Sequence, residues 1–111
     1  MRRAGGRSLP VIYSDIALTE LDEIAHWNEL TYNREHAKRY IQFLERRIDG
    51  LGKIYARGRV FGPRPELRYL LIQRTTKRHG HVAVYSFNDE AINVLHVFHT
   101  AQDWQTKLSD E

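Results

Sequence analysis

Asn33-Arg34-Glu35-His36-Ala37-Lys38-Arg39-Tyr40-Ile41-Gln42-Phe43-Leu44-Glu45-Arg46-Arg47-Ile48-Asp49-Gly50-Leu51-Gly52 is the segment with the strongest period in the chain. Ala37, Tyr40, Ile41, Leu44, Ile48 and Leu51 fall on one stripe at helical spacing, while Lys38, Arg39, Glu45 and Arg46 face away. Asn33 fits an N-cap, and Gly50 with Gly52 supplies a stop. An amphipathic helix of this kind buries one stripe and therefore needs a partner layer.

Upstream, Ser14 also fits an N-cap, with Asp15 suited to the positive dipole end. Ala17, Leu21, Ile24 and Trp27 or Asn28 continue at helical spacing, with Glu20, Asp22, Glu23 and Glu29 outward, so a helix is expected over 15–30. Thr31-Tyr32-Asn33 leaves so little chain between the two helices that they must run antiparallel, as a hairpin with a shared apolar seam. Before them, Leu9-Pro10-Val11-Ile12-Tyr13 reads as a short strand, and Pro10 places it at an edge or at its own start.

Downstream, Lys53 to Glu66 carries Gly58, Gly62, Pro63 and Pro65 and reads as loop. Three strand-like runs follow, Leu67–Thr75, Gly80–Phe87 and Ala91–Phe98, joined by short links at 75–79 and at Asn88-Asp89-Glu90. They form an antiparallel meander, whose last strand is apolar on both faces and so is expected to lie centrally. A short helix over 101–108 closes the chain. The expected fold is α+β: an N-terminal strand and a helix hairpin packed on a three- to four-stranded antiparallel sheet, with a short C-terminal helix and one sheet face left open. At 111 residues this is one domain over 9–108, preceded by a basic, flexible arm over 1–8.

Composition removes several function classes. There is no Cys, so disulfide frameworks and thiolate metal sites are excluded, and no apolar run spans a membrane. A cytoplasmic location follows as the simple expectation. The formal charge of +3 is accounted for by Arg2, Arg3 and Arg7. Within the rest, Lys53, Arg57, Arg59, Arg64, Arg68, Arg74, Lys77 and Arg78 crowd one stretch against Glu66 alone, a charge density suited to an acidic partner or a phosphate backbone. The alternative for such a run is a solvated face.

Six His invite a metal, but His96 and His99 are three apart on a strand and point to opposite faces, and no carboxylate adjoins His79 and His81. No metal site is expected, and His26 and His36 are read as solvent-facing. No Gly-x-Ser-x-Gly elbow or phosphate-binding Gly loop occurs, so neither a serine hydrolase nor a nucleotide cofactor is indicated, and no cofactor is expected. Acid–base cleavage of RNA keeps its raw materials in Glu66, Arg68 and His99.

Several strings, in order, resemble the RelE/ParE toxins of type II toxin–antitoxin systems, with the ParE branch the nearer. They are Tyr13-Ser14-x-x-Ala17 with Leu21 and Ile24, then Ala37-x-x-Tyr40 with Leu44 and Ile48, then Gly62-Pro63-Arg64-Pro65-Glu66-Leu67-Arg68. His81-Val82-Ala83-Val84-Tyr85 follows, then Ile92-Asn93-Val94-Leu95-His96-Val97-Phe98-His99 with Asp103-Trp104. The resemblance implies a toxin that inhibits DNA gyrase without covalent chemistry and is neutralised by a cognate ParD-like antitoxin in a hetero-oligomer. It implies no membrane and no sequence-specific nucleic-acid binding. RelE-like members are ribosome-dependent mRNA endoribonucleases. They commonly carry an Arg in the strand that here reads 81–85 and a Tyr near the C-terminus, and this chain has neither. An inert interaction module on a degenerate toxin fold is the third reading. Candidates for touching antitoxin or target are Arg57, Arg59, Arg64, Arg68, Arg74, Arg78, Tyr85, Asp103 and Trp104; Trp104 also suits a core cap.

Overall fold

The computed structural model describes residues 8–74 and 79–111. The expected arm over 1–8 lies outside them except for Ser8, as does Arg78. The elements are β1 (Val11–Tyr13), α1 (Asp15–Thr31), α2 (Arg34–Asp49), α3 (Leu51–Ile54), a 3-10 turn (Tyr55–Arg57), β2 (Arg59–Val60), β3 (Arg68–Ile72), β4 (His81–Phe87), β5 (Ile92–His99) and α4 (Trp104–Ser109).

Both caps form as expected. Ser14 Oγ accepts from Ala17 N at 3.0 Å and Asn33 Oδ1 accepts from His36 N at 2.8 Å. Gly50 is different: it sits in the right-handed helical region and the chain continues through α3 and the 3-10 turn before leaving for β2. The expected stop therefore comes about one helical turn or two later, and the loop over 53–66 is shorter than the Gly and Pro content suggested. Gly58 ends this stretch where a Cβ would collide with the Tyr85 hydroxyl, which is why the chain has no side chain there.

The sheet has five strands in the order β1-β5-β4-β3-β2. The meander β3-β4-β5 is antiparallel, β2 is a two-residue edge on β3, and β1 is added parallel to β5 at the other edge, Val11 beside Ile92. The expected central place of the last strand is thus corrected: β4 holds the centre, and β5 is interior because β1 is added at its outer edge. A register shift opposite Val84/Tyr85 leaves Leu95 as an extra residue in β5. A bulge of one residue reverses which parity faces which layer. Ile92, Val94 and Val97 consequently share the helix side, whereas Phe98 turns to the opposite side.

Two cores result. The first holds the hairpin against the sheet through Ala17, Leu21, Leu44, Ile48 and Leu51, with Ile72, Ala83, Tyr85, Val94 and Val97 opposite. The second corrects the expectation of an open sheet face: Phe61, Val82, Val84, Phe98, Trp104 and Leu108 close it with α4 and the loop before β3.

Where β1 ends, β5 would expose an unpaired edge, a position that costs a buried donor its partner. The first helix covers it. Ser14 Oγ donates to Leu95 O at 2.9 Å, and Glu20 Oε1 accepts from Val97 N at 2.8 Å. Beside it, His96 Nδ1 lies 3.2 Å from Glu20 Oε2 and Nε2 lies 2.7 Å from Glu111 Oε2, so the last residue is tied back to the sheet.

Candidate functional site

The C-terminal half of α1, the N-terminal half of α2 and the ends of β3, β4 and β5 enclose a groove of about 680 Å³, a volume in the range of binding clefts. The helices contribute Trp27, Tyr32, His36 and Tyr40, the strand ends His79, His81, His99 and Arg74. Trp27 is 57% exposed although its position fell on the helical stripe; Asn28 is buried instead, its Nδ2 donating to Ile24 O at 2.8 Å. Trp27 meets Tyr32 edge-on at 6.1 Å, and Tyr32 lies over His36 at 4.2 Å, so His36 belongs to an aromatic wall and is only part-exposed. Leu30, 73% exposed, prolongs the apolar surface at the end of α1.

The opposite wall is a trio of imidazoles. The register puts His81 beside His99, with ring centroids 5.0 Å apart, and His79 lies 5.9 Å from His99. Each has its Nδ1 engaged. The Tyr40 hydroxyl is hydrogen-bonded to His81 Nδ1 at 2.6 Å, the Ala101 amide donates to His99 Nδ1 at 3.0 Å, and Thr100 Oγ1 stands 3.4 Å from His79 Nδ1 while itself accepting from Gly80 N. In neutral imidazole an accepting Nδ1 leaves the proton on Nε2. For His99 that places the N–H at Nε2, which bonds to none of the described residues and opens on the groove as a donor.

Burial, reinforced by neighbouring His99, pushes His81 down to about 4, and burial with neighbouring His79 also lowers His99. Burial raises Tyr40 against the pull of Arg74, so the phenol keeps its proton. The Arg74 guanidinium lies 5.2 Å from the Tyr40 ring and 5.1 Å from that of Phe43, holding a cation at the rim. Among the described residues no group of three or more His, Asp or Glu is placed to hold a metal ion.

A model of the ParE toxin of the type II toxin–antitoxin system, parDE, matches residues 11–104. The chain belongs to the ParE toxin family. A solved structure described as "Chromosomal ParDE TA system from P. aeruginosa" is similar to the toxin with a TM-score of 0.70, at 19% identity over 83% of this chain and 96% of that one. At that identity the likeness is one of fold. No curated protein matches the toxin.

The residues singled out in the sequence are dispersed over the toxin. Arg57 and Arg59 are exposed around β2, with no partner among the described residues. Arg64 pairs with Glu66 at 3.2 Å and approaches Glu111 at 3.9 Å. Arg68 is structural: its NH1 donates to Ala56 O and Gly58 O, clamping the turn before β2. Tyr85 is wholly buried, its hydroxyl donating to Tyr55 O at 2.7 Å, so it offers no surface to a partner. Asp103 caps α4 through Thr106 N. Trp104 is 8% exposed between Phe61, Tyr69 and Phe98, which makes it the core cap. Of the set, among the described residues, Arg74 and His99 line the groove. Glu66 and Arg68 do not meet His99. Arg68 pairs with Tyr85 and His99 with His81, four strand residues apart, or about 13 Å along β4.

Trp27, Tyr32, His36 and Tyr40 were not among the sequence candidates. Their signal was a run of rings spaced by four or five residues across the helix break, passing from α1 to α2 on one side. Among the described residues no helix is long and apolar enough to cross a membrane.

Proposed function

We propose that this ParE-family toxin acts in the cytoplasm by binding and poisoning DNA gyrase, without covalent chemistry. We further propose that a cognate ParD-like antitoxin neutralises it by laying an amphipathic segment in the groove. One observation carries the second part: an aromatic wall with Trp27 and Leu30 exposed faces a wall of imidazoles and a cation, in a cleft open to a peptide's side chains. A flexible segment that orders on binding loses conformational entropy, and burying apolar surface such as Trp27 offsets that loss. The gyrase reading rests on family membership. The separation of Glu66 and Arg68 from His99 supports a toxin that binds over one that cleaves RNA.

The test is the purified toxin with gyrase and supercoiled plasmid. Trapped double-strand breaks that appear with toxin and disappear when antitoxin is added are expected. Intact plasmid together with cut ribosomal messenger RNA would replace this reading by the ribonuclease one, whose favouring observation is the gathering of His79, His81, His99 and Arg74 in one groove. Unchanged growth on expression without antitoxin would point to an inert module.

A further inference from the structure

A purely apolar segment in this groove would strip water from the Nε2–H donor of His99 and leave it unpaired, a penalty that a segment bringing an acceptor oxygen to that wall avoids. Facing the trio are Tyr40 and His36 from α2, Glu20 and Glu23 from α1, Arg74 beyond β3 and Lys107 of α4. Arg74 lies against the Tyr40 and Phe43 rings at the rim, and Lys107 against that of Phe98. Glu20 is spent on Val97 N and His96, and Glu23 stands exposed on the far wall. Among the described residues, one free carboxylate opposite the imidazoles suits a peptide of mixed charge, acidic where it meets the imidazoles and basic where it meets Glu23.

We propose that His79, His81, His99 and Arg74 form an oxyanion subsite that receives a carboxylate side chain of the antitoxin segment, and that this contact is coupled to proton uptake. The inference rests on the antitoxin reading above and adds to it the ligand chemistry and its regulation. The sign follows from Coulomb attraction. A carboxylate beside neutral imidazole favours the imidazolium, so the bound state takes up a proton that the free state lacks. Affinity then rises as pH falls from 8 towards 6, while the carboxylate stays ionised, and the bound toxin is released more readily at alkaline pH.

The first experiment follows the imidazole nitrogens of the free toxin by NMR, with sodium acetate as probe, chloride at equal ionic strength as reference and inorganic phosphate as a second anion. Acetate should shift the His81 and His99 Nε2 signals saturably and raise the His99 midpoint by about one unit, a roughly tenfold gain in proton affinity. His99→Asn keeps an acceptor for the Ala101 amide, removes the Nε2–H and should abolish the response, as Arg74→Gln should weaken it. The second experiment measures the toxin–antitoxin complex, which should tighten by about threefold from pH 8 to pH 6, with that dependence lost in His99→Asn. Acetate acting no differently from chloride, or a complex that forms with flat pH dependence, would overturn the subsite and leave the antitoxin reading standing. Phosphate binding beside a flat complex would reassign the trio to a phosphate ester. No complex at any pH would overturn the antitoxin reading itself and this occupant with it.

Discussion

Tyr85 and Gly58 show how single residues hold this toxin together. The Tyr85 hydroxyl donates to Tyr55 O from a wholly buried ring, and Gly58 leaves room for it by lacking a Cβ. Tyr85→Phe strands a buried carbonyl and should cost about 1–2 kcal/mol in urea unfolding. Gly58→Ala forces ring and backbone apart and should cost about 1–3 kcal/mol, with no change if the turn simply moves away. His81 makes a pH prediction. Its folded value of about 4 lies below the unfolded value of 6.5, so the unfolded chain binds more protons between those limits. Stability is therefore full above pH 6.5 and declines as pH falls towards 4, by at most about 3 kcal/mol from this residue. Urea midpoints recorded across that interval check the slope, and a midpoint that rises on acidification contradicts it.

The elements were legible in the sequence to the extent that their signals are local. Ser14 and Asn33 announce the two helices, the stripe from Ala37 to Leu51 gives the buried face, and Asn88-Asp89-Glu90 marks the β4–β5 hairpin. What local pattern hides is decided by distant partners. Gly50 accepts helical angles as readily as a turn, so only the packing of Leu51 and the bond from Leu9 N to Gly52 O determines that the helix resumes. The bulge at Leu95 is equally silent, because an apolar strand looks the same whichever parity faces in. Two elements yield tests. Ser14→Ala removes both the α1 cap and the bond to Leu95 O, and should lower stability by about 1–2 kcal/mol. Trp104→Ala empties the second core beneath α4 and should cost about 3 kcal/mol or more. A Trp104 variant as stable as the parent would mean that α4 does not close the sheet.

Across the whole molecule, the described arginines of the basic stretch that stood out in the sequence divide into three kinds. Arg64 and Arg68 are engaged within the fold, Arg74 lines the groove, and Arg57 with Arg59 projects from the β2 edge. Charge density along a sequence could not show this, because the division depends on which carbonyls and carboxylates the fold brings near. The groove was hidden for the same reason: its rings and imidazoles come from both helices and from the ends of three strands. Arg57→Glu with Arg59→Glu should slow antitoxin association and flatten its salt dependence while changing dissociation little, because exposed charges act mainly on encounter. An unaltered on-rate would remove the β2 edge from the docking path.

The most direct measurement is amide hydrogen exchange of the toxin alone and in complex with its antitoxin. Seating in the groove predicts new protection over 24–40 and around His79–His81 and His99–Gln102, with β2 and its flanking turns unchanged. Protection gathered on Arg57 to Val60, with the groove exchanging as in the free toxin, would contradict it.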